Sequence, residues 1–141
     1  MTYRVLLPVS ADEQYAKKAA DVVTSLPGED VHVVVLNVYE EFEVSSDEAA
    51  TIDSESLFDE SSFPESVTLV EELLETHGLE VTKRREHGDP AEEILEVAEE
   101  IGADSIVLAG RKQSPIGKVL FGSVTQGVLL SSDIPVTVVL D

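Results

Sequence analysis

The glycine- and serine-rich segment from Gly110 to Thr125 is the part of this 141-residue sequence best suited to chemistry. It reads GRKQSPIGKVLFGSVT and directly follows the apolar run at residues 105–109. Glycines let a backbone approach a phosphate closely, and the free N–H groups at a helix N-terminus favour anions. We therefore interpret Gly122 and Ser123 as the start of a helix that could hold a phosphate.

Side chains of the same segment could add to such an anion site. Ser123 and Thr125 can donate hydroxyl hydrogen bonds, and Lys118 or Arg111 can add positive charge. A Walker-type phosphate loop is excluded, because Val119 stands where that motif needs a magnesium-binding Ser or Thr. The alternative is that the glycines only turn the chain and that Ser123 only caps a helix. Local chemistry alone leaves both interpretations open.

The charge of the chain is strongly acidic and unevenly distributed. Twenty-nine acidic residues against nine basic ones give a net charge of -20. Residues 1–109 carry a net charge of -21, whereas residues 110–141 carry +1. A nucleic-acid-binding protein usually has a basic face, so we expect no nucleic-acid partner. The glycine-rich stretch is also the one spared from acidic residues, as an anion site would require.

An acidic surface keeps a protein soluble where salt screens its self-repulsion, so we hypothesise a halophilic host with a salt-rich cytoplasm. No apolar run approaches the roughly 18 residues that span a bilayer, and no signal peptide is recognisable. We expect a cytoplasmic protein without a membrane contact. The sequence has no cysteine, and its three histidines lie far apart. We therefore predict neither a metal site nor a catalytic residue.

Hydrophobic patterns predict five strands that alternate with helices. β-Branched apolar runs indicate strands buried on both faces, which is typical of a parallel sheet covered by helices. Helix signals lie between the runs, at Asp12 or Ser10, at Pro64–Glu65, at Asp89–Pro90 and after Gly122. The predicted strands are residues 3–9, 31–38, 79–86, 105–109 and 136–140.

This order predicts an α/β fold with one domain over residues 1–141: a five-stranded, doubly wound parallel sheet with helices on both faces. Ligands of such sheets bind at the carboxyl ends of the strands. The candidate ligand-binding positions therefore follow Val9, Val38 and Ala109. Residues 40–65 hold ten acidic residues and no basic one, and we interpret them as an acidic, flexible insertion.

The order and spacing of these segments resemble the universal stress protein family over nearly the whole chain. The resemblance implies a Rossmann-like fold of the adenine nucleotide alpha hydrolase-like type. It also implies a homodimer formed through the last strand, Val136–Leu140. The residues that carry it are RVLLPVS at 4–10, VLNV at 35–38, GDPAEEI at 88–94, ADSIVLAG at 103–110 and PVTVV at 135–139.

Some members of that family bind ATP through a motif of Gly, two residues, Gly, nine residues and then Gly-Ser/Thr. Gly110 fits the first glycine and Gly122-Ser123 the last pair, with an interval one residue short. Gln113 stands in place of the second glycine, and Ser10 in place of the family's aspartate after the first strand. The resemblance implies an adenosine pocket lined by Pro8, Val9, Val38 and Ala109, and phosphate contacts from Gly110, Gly122, Ser123 and Val124. Ser10, Gly117, Lys118 and Thr125 complete the candidate nucleotide-binding residues.

The sequence is compatible with three functions. The first is a regulatory module that binds ATP, with Mg²⁺ as a possible companion. The second is a dimeric stress or interaction protein that binds no nucleotide. The third is a slow ATP hydrolase, for which Asp12 could serve as a base only if the first strand–helix turn brings it close to the loop. The sequence favours a binding protein over an enzyme.

Overall fold

Five parallel strands form the centre of the molecule, as the alternation of apolar runs and helix signals predicts. The structure, a computed structural model, describes residues 2–10, 12–26, 30–39, 63–110 and 122–140. The β-branched residues that dominate these runs fit a pleated surface buried on both faces. The strands are β1 (Tyr3–Pro8), β2 (Val31–Tyr39), β3 (Glu80–His87), β4 (Ser105–Gly110) and β5 (Val136–Leu140).

The strands lie in the order β3-β2-β1-β4-β5, so β3 and β5 form the two edges of the sheet. All four pairings are parallel. In the register of the sheet, Val5 lies beside Val33 of β2, and Leu6 beside Ile106 of β4. Strand β1 is therefore central, and the chain crosses from one side of it to the other between β3 and β4.

The described residues form four helices between the strands, and local sequence explains where two of them begin. The carboxylate of Asp12 accepts hydrogen bonds at the start of α1, and that of Asp89 does so at the start of α3, where Pro90 is the first helical residue. Gly102 ends α3 in the left-handed conformation, with a φ of 64°. The helices are α1 (Glu13–Thr24), α2 (Glu65–Thr76), α3 (Pro90–Ile101) and α4 (Ser123–Ser131).

Two hydrophobic cores, one on each face of the sheet, hold the helices. Odd-numbered residues of β1 and β2, such as Val5 and Val33, pack with α1 and α2. Even-numbered residues, such as Leu6 and Leu36, pack with α3 and α4. This alternation follows from the two-residue repeat of a strand, and it confirms the predicted doubly wound sheet with helices on both faces.

The predicted elements are confirmed within one or two residues at most of their ends. The start of α2 agrees with the signal at Pro64–Glu65, and β5 has the predicted bounds. Helix α1 ends at Thr24, with Ser25 as its C-cap, three residues before the predicted stop at Pro27. The predicted acidic insertion lies outside the described residues except for its last three positions, 63–65.

Candidate functional site

The carboxyl ends of β1 and β4 meet where the chain changes direction across the sheet. Helices α1 and α2 lie on one face and α3 and α4 on the other, so among the described helices none lies directly above the ends of these two neighbouring strands. This is the topological switch point at which parallel sheets bind ligands. The fold therefore places a crevice where the sequence predicted a site.

A cavity of about 250 Å³ occupies this crevice. Strands β1, β2 and β4 form its floor, and helices α1, α3 and α4 form its walls. None of its lining side chains, among the residues that the structure describes, carries a charge. They are Pro8, Val9, Ser10, Tyr15, Ala16, Leu36, Val38, Pro90, Ile94, Leu108, Ala109, Val124 and Thr125.

Buried hydrogen bonds fix the backbone that follows β1. The N–H of Val9 donates to the carbonyl of Leu36 at 2.8 Å, and the buried Asn37 side chain donates from Nδ2 to the Val9 carbonyl at 3.0 Å. On the next residue, the Ser66 hydroxyl of α2 donates to the Ser10 carbonyl at 2.5 Å. Because a buried polar group is costly without a partner, these bonds hold the floor of the cavity rigidly.

The polar side chains after β1 serve the start of helix α1. Asp12 Oδ1 accepts from the backbone N–H groups of Gln14 and Tyr15, at 3.0 and 3.2 Å. The hydroxyl oxygen of Ser10 accepts from the Asp12 N–H at 3.3 Å. Asp12 is an N-cap and does not line the cavity, so the strand–helix turn does not direct this carboxylate into the site.

Helix α4 begins differently, at a glycine. Gly122 is its N-cap, with φ -64° and ψ 164°, and no side chain of the described residues caps the helix. Its first turn contains no acidic residue. A Cβ added to Gly122 would meet no described atom within 4 Å. Within the part of the chain that the structure describes, the start of α4 therefore offers backbone N–H groups and open space, which suits an anion.

The structure brings seven of the predicted site residues together around the cavity: Pro8, Val9, Ser10, Val38, Ala109, Val124 and Thr125. Gly110 ends β4 and is buried, while Gly122 and the exposed Ser123 lie at the start of α4. The N-cap is Gly122 and not Ser123, which corrects the alternative role considered for that serine. Gly117 and Lys118 lie outside the described residues, as do Arg111 and Gln113.

Sequence reasoning missed six lining residues: Tyr15, Ala16, Leu36, Pro90, Ile94 and Leu108. Tyr15 and Ala16 lie in the first turn of the helix after β1, and Pro90 is the first residue of α3. The rule that ligands bind at strand carboxyl ends points also to the first turns of the following helices. This rule could have identified Tyr15, Ala16 and Pro90. Leu36, Ile94 and Leu108 were interpreted only as core residues.

Two acidic residues of α3 have shifted pKa values, in opposite directions. Burial, together with the neighbouring carboxylates of Glu96, Glu86 and Glu92, raises the pKa of Glu93. The hydrogen bond and charge of Arg84 lower the pKa of Glu100. The described part of the chain contains no group of three His, Asp or Glu side chains placed to hold a metal ion. No helix within it has the length and apolar character to cross a membrane.

Solved structures share this architecture. The structure of MJ0577, a protein of Methanocaldococcus jannaschii, has a TM-score of 0.80 and 28% identity, covering 100% of this chain and 97% of that one. A universal stress protein of Archaeoglobus fulgidus, solved in complex with dAMP, has a TM-score of 0.65 and 18% identity, with 96% of each chain covered. The second likeness concerns the fold alone.

The sequence comparisons identify the family. A 52-residue segment is 50% identical to the stress response protein NhaX of Bacillus subtilis, covering 37% of this chain and 31% of NhaX. The chain thus matches less than a third of that relative's length. The profile of the Universal stress protein family matches residues 1–139. Because this match spans nearly all 141 residues, the chain belongs to the Universal stress protein family.

Proposed function

We propose that this protein is a regulatory module of the stress response that binds an adenine nucleotide in the cavity above β1 and β4. One observation carries the proposal: the uncapped start of α4, at Gly122, lies beside an apolar cavity at the switch point of the sheet. The N–H groups of the helix would hold the phosphates. The apolar walls would bury the base and ribose.

The chemistry of the lining supports a nucleotide over other small molecules. Pockets for nucleosides are mostly apolar, with a few polar groups that fix orientation. Here the mostly apolar lining includes the hydroxyl residues Ser10 and Thr125, and Thr125 is only 6% exposed. The dAMP complex of the Archaeoglobus fulgidus protein shows that a protein of this fold binds an adenine nucleotide. ATP is the first ligand to test, with Mg²⁺ carried by its phosphates.

Calorimetric titration with ATP and MgCl₂ in molar KCl tests the proposal. We expect saturable binding, and we expect Gly122→Val to abolish it because the new side chain would occupy the phosphate position. The space around Gly122 lets valine fit without a clash against described atoms. Gln126→Val, on the exposed side of the same helix, is the matched control and should bind normally. No binding by the unaltered protein at millimolar ATP would refute the proposal.

A second candidate is a dimeric interaction protein that needs no nucleotide, and the position of β5 favours it. Strand β5 is a sheet edge, and Val136, Val138, Val139 and Leu140 on it are half-buried. Bare edges invite pairing, so we propose a homodimer formed through Val136–Leu140. Light scattering in high salt should give twice the chain mass. A dimer that persists in protein unable to bind ATP would favour this second function.

A slow ATP hydrolase is the third candidate, and the geometry gives it the least support. Asp12, the one carboxylate considered as a base, caps α1 through bonds to Gln14 and Tyr15. We therefore propose binding without turnover. Phosphate release measured over hours distinguishes the two, because hydrolysis at a rate proportional to enzyme concentration would contradict a pure binding role.

The acidic composition supports a salt-rich cytoplasm as the setting. A net charge of -20 on 141 residues destabilises the compact state through self-repulsion unless counterions screen it. We propose that the protein is adapted to a halophilic cytoplasm. Its unfolding temperature should rise steadily between dilute and molar KCl, and an unchanged temperature over this range would contradict the proposal.

A further inference from the structure

Two of the helices that form the walls of the cavity, on opposite faces of the sheet, differ in their chemistry. Helix α4 contributes Val124, Thr125 and the uncapped N–H groups that suit an anion. Helix α1 contributes Tyr15 and Ala16. Because α1 and α4 pack on opposite faces, a ligand that bridges them meets an anion-binding end on one side and an aromatic side chain on the other.

Tyr15 is the sole aromatic residue among the described residues that line the cavity. Its side chain is half-buried and lines the cavity. Aliphatic and small side chains make up most of the remaining wall. An aromatic ring that enters the cavity could therefore stack on one aromatic side chain, that of Tyr15.

Helix α1 fixes the backbone that carries this ring. Asp12 Oδ1 accepts from the Tyr15 N–H at 3.2 Å, and the Asp12 carbonyl accepts from the Ala16 N–H at 3.1 Å. Ala16 is 4% exposed and packs in the core shared by α1 and α2. A capped and packed first turn does not fray readily, so the backbone under Tyr15 is pre-organised for a ligand.

We propose that Tyr15 is the specificity-determining residue for the base, and that it stacks on the ring and restricts the site to nucleotides over other phosphate compounds. The inference rests on the proposed nucleotide binding and adds the group that recognises the base. Stacking of a base on an aromatic side chain contributes about 1–3 kcal/mol, which corresponds to roughly 5- to 150-fold in affinity. Phosphate contacts at α4 would be independent of it.

Calorimetry with ATP on the Tyr15→Phe and Tyr15→Leu variants tests the role of the ring. Tyr15→Phe keeps an aromatic face and should bind within about threefold of the unaltered protein. Tyr15→Leu should bind about 5- to 150-fold more weakly. Tyr3→Leu is the matched control, because Tyr3 is 40% exposed and lies at the opposite end of β1. Thermal unfolding of each variant reports whether it is folded.

A second readout does not depend on variants. In protein labelled with ¹³C at its tyrosine rings, ATP should shift the ring signals of Tyr15, whereas tripolyphosphate should leave them in place. Equal ATP affinity in the Leu and Phe variants, or Tyr15 signals that ignore ATP, would overturn the inference while leaving nucleotide binding intact. If the unaltered protein fails to bind ATP at all, the proposed function and the role of Tyr15 are both overturned.

Discussion

Helices α3 and α4 pack on the same face of the sheet and line the same cavity, yet their first turns are electrostatic opposites. Helix α3 starts at Asp89, whose carboxylate accepts from the Glu92 N–H at 3.0 Å, and Glu92 and Glu93 add negative charge to its first turn. Helix α4 starts at Gly122, with no side-chain cap and no acidic residue in its first turn. The protein's own carboxylates therefore occupy the start of α3, whereas no described side chain caps the start of α4, where we propose that the phosphates bind.

Under the proposed function, the difference would separate a role in stability, at α3, from a role in binding, at α4. A side-chain cap satisfies N–H groups that would otherwise need water, and contributes about 1 kcal/mol relative to alanine. A cap with a carboxylate also repels a second anion. Helix α4 forgoes that cap, and it packs closely against α3 at Gly127, where an added Cβ would lie 3.0 Å from Ala91 Cβ.

An aspartate N-cap on α4, like that of α3, should have the largest effect on ATP affinity. In Gly122→Asp, the new carboxylate would compete with the phosphates for the same N–H groups. We expect ATP affinity to fall by about 100-fold, or about 2.7 kcal/mol. The free energy of unfolding should stay constant or rise by a few tenths of a kcal/mol, because aspartate is the better N-cap. Calorimetry and urea unfolding measure the two quantities.

The isosteric variant Gly122→Asn is the control for that exchange. It caps the helix without adding charge, so it should lose less affinity than Gly122→Asp. If both variants bind ATP as the unaltered protein does, the start of α4 is not the anion site.

A larger side chain at the contact between α3 and α4 should have the next largest effect. In Gly127→Val, the added side chain would press on Ala91, and we expect a loss of stability of about 1–3 kcal/mol. ATP affinity should fall as well, because Val124 and Thr125 would move with α4. Urea unfolding measures the loss, with Gln126→Val as the control for a β-branched residue in the same helix. Adding Ala91→Gly should restore part of the stability, and no recovery would show that the contact with Ala91 is not the cause.

Removing the cap of α3 should have a smaller effect, confined to stability. In Asp89→Ala, the Glu92 N–H loses its acceptor, and we expect the free energy of unfolding to fall by about 1 kcal/mol. ATP affinity should change by less than about threefold. Glu96→Ala, at an exposed position of the same helix, is the control. A large loss of binding in Asp89→Ala would contradict the separation of roles.

The pH dependence of Glu93 should be the smallest effect. Burial raises its pKa above the ordinary 4.5, so the folded state binds this proton more tightly than the unfolded state. The resulting contribution to stability is present below pH 4.5 and is lost as the pH rises through the raised pKa. Glu93→Gln should therefore be more stable relative to the unaltered protein at pH 7 than at pH 4, as measured by urea unfolding.

The pKa of Glu100, on the same helix, is shifted in the opposite direction. Arg84 lowers its pKa, so its contribution is present at neutral pH and is lost as the pH falls through the lowered pKa. Glu100→Gln should thus lose stability relative to the unaltered protein at pH 7 and match it at low pH. If both variants show the same pH trend, the two shifts do not have the causes assigned to them.

Local sequence signals predicted most of the fold, because strands and helices here obey short-range rules. Val31–Tyr39 is almost continuously apolar and forms a strand buried by helices on both faces, and Asp89-Pro90 starts a helix as its cap chemistry requires. The largest difference lies at the end of one helix. Helix α1 stops at Thr24, short of the Pro27 stop signal.

The sequence by itself determined the strands, the helix starts at Asp12 and Asp89, and the composition of the glycine-rich segment, since each depends on residues within a few positions. Tertiary structure alone decided which of these meet. Tyr15 and Thr125 are 110 positions apart in the sequence, yet they line one cavity because β1 and β4 are neighbours in the sheet. Strand order depends on packing over the whole chain, and that is why the sequence could not show that Tyr15 and Thr125 share one cavity.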